Sequence, residues 1–245
     1  MSTREGRLGI GLVGDSPTGL LVATALAGAG HALVGVATES AEATERASAM
    51  LPGAPNLTQR QAIERSELVI LAFDEDELEA RVLELSKSKA WVAGQLVLHT
   101  VAGRGTAVLG TALDRGVIPL AVHPAIEITG TSLDLHRLKE AWCAVTAPRP
   151  VLPIAQALVV EIGAEPVVIA EQDRPTYAEA LHTATEFTRS IVKQATELLT
   201  GIGVENPGFM LSSLVRSAAD NALADATPQR LDPLDGTLPE ADPRS

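Results

Sequence analysis

Cysteine, aromatic residues and cations are all scarce in this 245-residue chain. Each scarcity removes a class of protein. With Cys143 as its only cysteine, the chain has no internal disulfide framework and no thiolate-rich metal site, which suits a reducing compartment. Aromatics are 2% of residues, so Val, Leu, Ile and Ala must fill the interior. Lys and Arg number 19 against 31 Asp and Glu, a net charge of -12. No basic stripe is left for nucleic acid or for an anionic membrane surface, and neither is expected as a partner. The opening MSTREGR has no apolar signal core, and a cytoplasmic location is expected. The long uncharged stretch 19–37 is split by Gly28, Gly30 and His31, so it reads as helix then strand rather than a membrane span.

What is present is a regular alternation. Short apolar runs at 8–13, 32–37, 68–73, 96–100, 118–122, 144–146 and 166–169 read as buried strands. Helical patterns at 18–29, 42–50, 75–85 and 151–162 lie between them. This order predicts an α/β fold with a doubly wound, mostly parallel sheet. From Arg174 strands give way to helical patterns at 175–200 and 207–224, joined by Gly201-Ile202-Gly203. Two such helices cannot bury their own apolar stripes, so they must pack on the first domain or on a second copy, and a homodimer is the simpler expectation. The expected organisation is a dinucleotide-binding domain at 1–170, a small all-α domain at 171–226, and a mobile Pro- and Asp-rich tail at 227–245.

The strongest local signal lies between the first strand and the first helix, where Gly14-Asp15-Ser16-Pro17-Thr18-Gly19 reads G-x-S-x-x-G. In G-x-G-x-x-G loops the first glycine makes the turn, the second admits the pyrophosphate and the third lets helix and strand pack closely. Gly14 and Gly19 fill the outer roles, and Ser16 stands at the middle one. A tight turn that binds nothing is the alternative. Thr38 and Glu39 follow the second strand, where an acid can accept hydrogen bonds from ribose hydroxyls. Glu39 would repel a 2′-phosphate, and with no Arg beside it in sequence NAD is favoured over NADP. Phe73 and Thr100, at the carboxyl ends of the third and fourth strands, complete the candidate cofactor-binding set.

Asp74, Glu75, Asp76 and Glu77 suit the first turn of a helix through its dipole, and no metal is expected there. His99 and His123 each end a strand on the edge where such folds hold substrates. His123 is a candidate proton donor to a carbonyl, because an unperturbed imidazole titrates near neutral pH, whereas His99 suits a role capping a backbone carbonyl. Thr185 and Glu186, in the long helix, are candidates for lining a substrate pocket, although Glu186 could equally pair with Arg189 on the surface. A methyltransferase reading of the Gly-rich loop finds no counterpart for that class's substrate-side acids.

IGLVGDSPTGLLVATAL, LVILAF with its acidic helix, LHTVAGRGTAVL, IPLAVHPAIEITGTSLDLHRL and DNAL together resemble the Rossmann-like proteins that carry a DUF2520 helical domain. That family is similar to pyrroline-5-carboxylate reductase and the 6-phosphogluconate dehydrogenase superfamily, and some relatives look like ketopantoate reductases. The resemblance spans about residues 8–225 and implies a nicotinamide-dependent reductase of a small keto or imino acid. It implies that Gly14 and Gly19 hold the pyrophosphate and that His123 and Pro124 stand beside the nicotinamide and substrate. The chain departs from the family's H-T-S-G at Val101 and Ala102, from a Ser-Asn pair at Thr185-Glu186, and from an Arg of NADP-binding members at Glu39. A diverged, inactive ligand-binding or scaffold protein is therefore the alternative.

Overall fold

The computed structural model describes residues 7–226, so the 227–245 tail expectation lies outside the described residues. By contacts the chain divides into two units, Met1–Ala184 and Thr185–Ser245.

The first unit is a seven-stranded sheet in the order β2-β1-β3-β4-β5-β6-β7. Its strands are β1 (Gly9–Gly14), β2 (Ala32–Ala37), β3 (Leu68–Ala72), β4 (Leu96–His99), β5 (Ile118–Pro124), β6 (Trp142–Thr146) and β7 (Glu165–Val168). Between them run α1 (Pro17–Gly28), α2 (Ala41–Met50), α3 (Gln59–Glu64), α4 (Glu75–Lys87), the single turn α5 (Gly110–Leu113), α6 (Leu133–Leu138) and α7 (Leu152–Glu161). All neighbours pair in parallel except β5 and β6, where Ala121 faces Thr146 and Pro124 faces Cys143 in antiparallel register.

Side chains alternate along each strand, and this alternation builds two cores. Ile10, Leu12 and Ile70 point to one face, under Leu21 and Leu26 of α1 and Val159 of α7. Val13, Val69 and Leu71 point to the other, under Ile63 of α3 and Leu78 and Val82 of α4. Each such side chain contributes about 1.5–3 kcal/mol by leaving water, which is why a chain with so few aromatics still closes a large sheet. β2 lies on one side of β1 and β3 on the other, so the strand order reverses there. Crevices for ligands form outside the carboxyl ends of strands at such a point.

Two glycines set the turn at that point. Gly14 has φ +108°, and a Cβ on it would come within 2.3 Å of the Ala72 carbonyl oxygen. A Cβ on Gly19 would lie 2.4 Å from the Ala72 methyl. Both contacts are with β3, so α1 can seat on the sheet only if these positions lack side chains.

α8 (Arg174–Gly201) begins in the first unit and continues into the second, which also contains α9 (Pro207–Ala226). The turn between the helices uses Gly203 at φ +85° and Asn206 at φ +57°. Phe187, Ile191, Leu198, Phe209, Met210 and Leu214 are all exposed, Phe209 by 86%. No helix among the described residues is long and apolar enough to cross a membrane.

Candidate functional site

Ser16 is the N-cap of α1 but makes no side-chain cap, and Pro17 at the first helical position has no N–H to give. The Ser16 amide donates to the Ala72 carbonyl at 2.8 Å. The next amides, of Thr18 and Gly19, take no acceptor among the described residues, leaving the positive end of α1 free for an anion. Gly14, Asp15, Ser16 and Pro17 open onto a cavity of about 310 Å³, bounded by Phe73, Asp74 and Glu77 after β3 and by Glu39, Arg46 and Arg81. That volume is at the lower end for small-molecule sites. A larger cavity of about 650 Å³ lies at the opposite, amino edge of the sheet, lined by Leu33, Leu135 and Ile162, away from the loop.

Of the sequence-derived cofactor set, the structure thus gathers Gly14, Asp15, Ser16, Pro17, Glu39 and Phe73 around one hollow. Thr18 and Gly19 belong to the adjoining first turn of α1. Thr38 instead hydrogen-bonds Thr44 at 2.8 Å, and Thr100 is buried beyond β4; neither lines the hollow. The Asp15 carboxylate is already engaged, accepting from the amides of Glu39 at 2.7 Å and Ser40 at 2.8 Å. It ties the loop to the start of α2, where the helix dipole favours a negative charge.

Glu39 has no Arg beside it in sequence, but the fold brings one to it. Arg81, 42 residues further on, forms an ion pair with Glu39 and sets its guanidinium 5.3 Å from the centroid of Phe73. Gln59 donates to the same Glu39 oxygen at 2.6 Å. Arg46 of α2 reaches the hollow too, with one terminal nitrogen donating to Glu42 at 2.8 Å. Its Nε is buried and has no partner. A donor left in that state costs about 1–3 kcal/mol unless a ligand supplies an acceptor. The loop's free amides fit a phosphorylated nucleotide.

A second cluster sits at the carboxyl ends of β4 and β5 and the start of α8. Nδ1 of His123 lies 3.0 Å from the Tyr177 hydroxyl, and the rings meet edge to face. Arg174 is completely buried. Its Nε donates to Thr146 Oγ1 at 2.7 Å, and its other nitrogens donate to the carbonyls of Ala121 at 2.8 Å, Ala144 at 3.2 Å and Ala102 at 3.4 Å. No carboxylate pairs with it among the described residues, so its charge is carried by backbone dipoles. Burial lowers its pKa to about 10, which still leaves it protonated at neutral pH.

That cation and burial reshape the neighbours. The His123 pKa falls to about 4, through burial first, then Arg174 and His99. The expectation that His123 has an ordinary imidazole pKa is corrected accordingly: the ring is neutral at pH 7. Burial pushes Tyr177 up to about 12, so the phenol keeps its proton. His99 is also lowered to about 4, chiefly by burial. It is held by the Gly105 carbonyl at 2.8 Å and the Val101 amide at 3.2 Å, a structural role at the strand end. Arg174 and Tyr177 escaped sequence reasoning, since neither stands in a motif. Thr185 and Glu186 belong to the second unit, where Glu186 accepts from Arg189 at 2.6 Å.

A family model for the Rossmann-like domain matches residues 1–124. The chain belongs to the Rossmann-like family. A second model, a domain of unknown function designated DUF2520, matches residues 141–231 of this Rossmann-like protein. Among solved structures it is similar to a provisionally named NADP oxidoreductase from Bacteroides fragilis, at 17% identity over 89% of this chain and 81% of that one, TM-score 0.70. It is also similar to a pyrroline-5-carboxylate reductase from Coxiella burnetii, at 13% identity over 91% and 82%, TM-score 0.64. The imine reductase of Streptomyces aurantiacus matches at 17% identity over 89% and 76%, TM-score 0.66. At these identities the likeness is one of fold. No curated protein matches the sequence.

Proposed function

We propose that this Rossmann-like protein is an oxidoreductase that uses a nicotinamide dinucleotide to reduce or oxidise a small carbonyl or imine compound, a keto or imino acid by its resemblance. The observation that carries this reading is the open hollow in front of the Gly14–Pro17 turn, at the reversal of strand order. The fold is shared with proteins named as NADP oxidoreductase, pyrroline-5-carboxylate reductase and imine reductase, which supports it. Thr18 and Gly19 would hold the pyrophosphate through their free amides, with Gly14 and Ser16 shaping the turn that admits it, and Phe73 would wall the adenosine end. Which dinucleotide enters is decided at the wall formed by Glu39, Arg46 and Arg81.

When bound, the nicotinamide supplies or accepts the hydride. The protein's part is proton placement and electrostatics. If the Tyr177 hydroxyl donates to Nδ1, the neutral His123 ring carries its proton on Nε2 and would offer it to a carbonyl oxygen or imine nitrogen, and transfer of that proton would be balanced by Nδ1 taking the phenol proton. The buried Arg174 charge favours the negative oxygen that forms on reduction. His123 is thus a neutral donor backed by a phenol, not an imidazolium.

Titrating the protein with NADH and NADPH and following nucleotide fluorescence tests this reading. Saturation below about a millimolar supports it, since cellular nucleotide levels would not fill a weaker site, and no binding of either overturns it. A second reading, a ligand-binding protein without turnover, is favoured by Ala102, whose carbonyl is taken by Arg174 in the segment where the family carries H-T-S-G. Tight nucleotide binding with no turnover across small keto and imino acids would select it. The exposed Phe187, Ile191 and Met210 further support a homodimer, checked by light scattering on the eluting protein.

A further inference from the structure

Resting on the oxidoreductase reading, we propose that Glu171 is a positioning residue, which sets Tyr177 against His123 by fastening the loop after β4 to the start of α8. Glu171 opens a single 3₁₀ turn, Glu171–Asp173, that runs straight into α8. With Arg174 and Tyr177 it makes a series spaced by three, and helical side chains at that spacing share a face. The face addresses β4, β5 and β6 together. Glu171 Oε2 accepts from the Thr106 amide at 2.7 Å and from the Thr106 hydroxyl at 3.1 Å, and Oε1 accepts from the Ala107 amide at 3.0 Å. Arg174 donates to Ala121 of β5, to Ala144 of β6 and to Ala102 in the same loop as Thr106. Tyr177 then meets His123 at the end of β5.

The loop leaves room for this carboxylate. A Cβ on Gly105 would strike the Glu171 carboxyl group, so the acid lies against bare backbone. The Gly105 carbonyl in turn is held by His99 at 2.8 Å. The loop is thus gripped at Ala102 by Arg174 and at Thr106 and Ala107 by Glu171, with His99 bonded between them. A helix start held at one point can pivot, whereas two points one turn apart fix its direction. Tyr177 follows one turn later, and its bond to His123 weakens steeply if that direction drifts. The Glu171 charge also favours the charged form of Arg174, which has no ion-pair partner of its own among the described residues. Because the Glu171 bonds are exposed to water, they contribute direction more than stability.

The imidazole nitrogen signals of His123, read by NMR on the full chain without dinucleotide or substrate, test this in the unaltered protein, Tyr177→Phe, Glu171→Ala and Glu171→Gln. Glu171→Ala is expected to move them as Tyr177→Phe does, with little further movement when the two are combined. Glu171→Gln keeps one accepting oxygen and should fall between. Turnover of Glu171→Ala should drop about tenfold or more, with dinucleotide affinity held within about twofold. His123 signals that stay in place in folded Glu171→Ala, or that move unlike those of Tyr177→Phe, overturn the proposal, even where the melting temperature falls. So does a loss confined to dinucleotide affinity. Should Glu171→Ala not fold, Glu171→Gln carries the same comparison. Failure of both dinucleotides to bind sinks the oxidoreductase reading instead, and the nitrogen signals still decide what Glu171 does.

Discussion

The hydroxyl of Tyr177 and the Nδ1 of His123 lie 3.0 Å apart although 54 positions separate them, so β5 and the first turn of α8 together assemble one proton-holding pair. Replacing Tyr177 by Phe removes the donor and keeps the ring. We expect turnover to fall about 10²-fold or more, with dinucleotide affinity and melting temperature nearly unchanged. His123→Asn should give a similar loss, and the double variant should be little worse than either alone, because the two act as a unit. Steady-state kinetics on the three variants checks this; additive losses would separate the two residues.

Acid should weaken the fold before most carboxylates take up protons. His99 and His123 have folded pKa values of about 4 against an ordinary 6.5, so the unfolded chain binds protons that the folded chain refuses. Their stabilisation is complete above pH 6.5 and drains away as pH falls through that value toward 4. For the fully buried His99 this amounts to about 3 kcal/mol. Urea midpoints measured from pH 7.5 to 4.5 should fall steadily, and His99→Gln should flatten the curve.

Arg174 is a fastening as much as a charge. Leucine in its place would leave the carbonyls of Ala121 and Ala144 and the Thr146 hydroxyl without their donor, and about 3 kcal/mol of stability should be lost. Arg174→Lys should recover only part, since an ammonium cannot span the same acceptors. In whichever variant folds, the His123 pKa should rise toward its usual value as the neighbouring cation goes or moves, which an imidazole proton titration by NMR reads directly.

The turn at Gly19 is a packing constraint independent of any ligand. Gly19→Ala puts a methyl 2.4 Å from that of Ala72, and α1 must lift from β3 to admit it. A loss of about 1–3 kcal/mol is expected, seen as a lowered melting temperature in protein free of nucleotide. An unchanged melting temperature would mean that the helix seats differently.

Much of the fold was legible because strands buried on both faces, such as Leu68–Ala72, write themselves as continuous apolar runs, and helices between them as longer patterns. The direction of β6 was not legible, because the pattern WCAVT is the same whichever way the strand runs. The Gly14–Gly19 turn was found from spacing alone. Its counterpart, the Arg81 that meets Glu39, was hidden since it depends on α4 lying beside the β2 end, a fact of topology with no local trace. The imidazole pKa of His123 was misjudged for a similar reason: burial and a cation supplied from α8 decide it, and neither neighbours it in the chain.

Ala72 meets the Gly14–Gly19 turn three times: at the Gly14 backbone, at Gly19, and through its carbonyl at the Ser16 amide, 2.8 Å away. The curvature of the loop is therefore moulded by the adjoining strand, and a serine at the motif's middle position leaves that mould intact. Enlarging Ala72 to valine would deform the turn without altering a single residue of it, so the end of β3 sets the shape of a loop it is not part of.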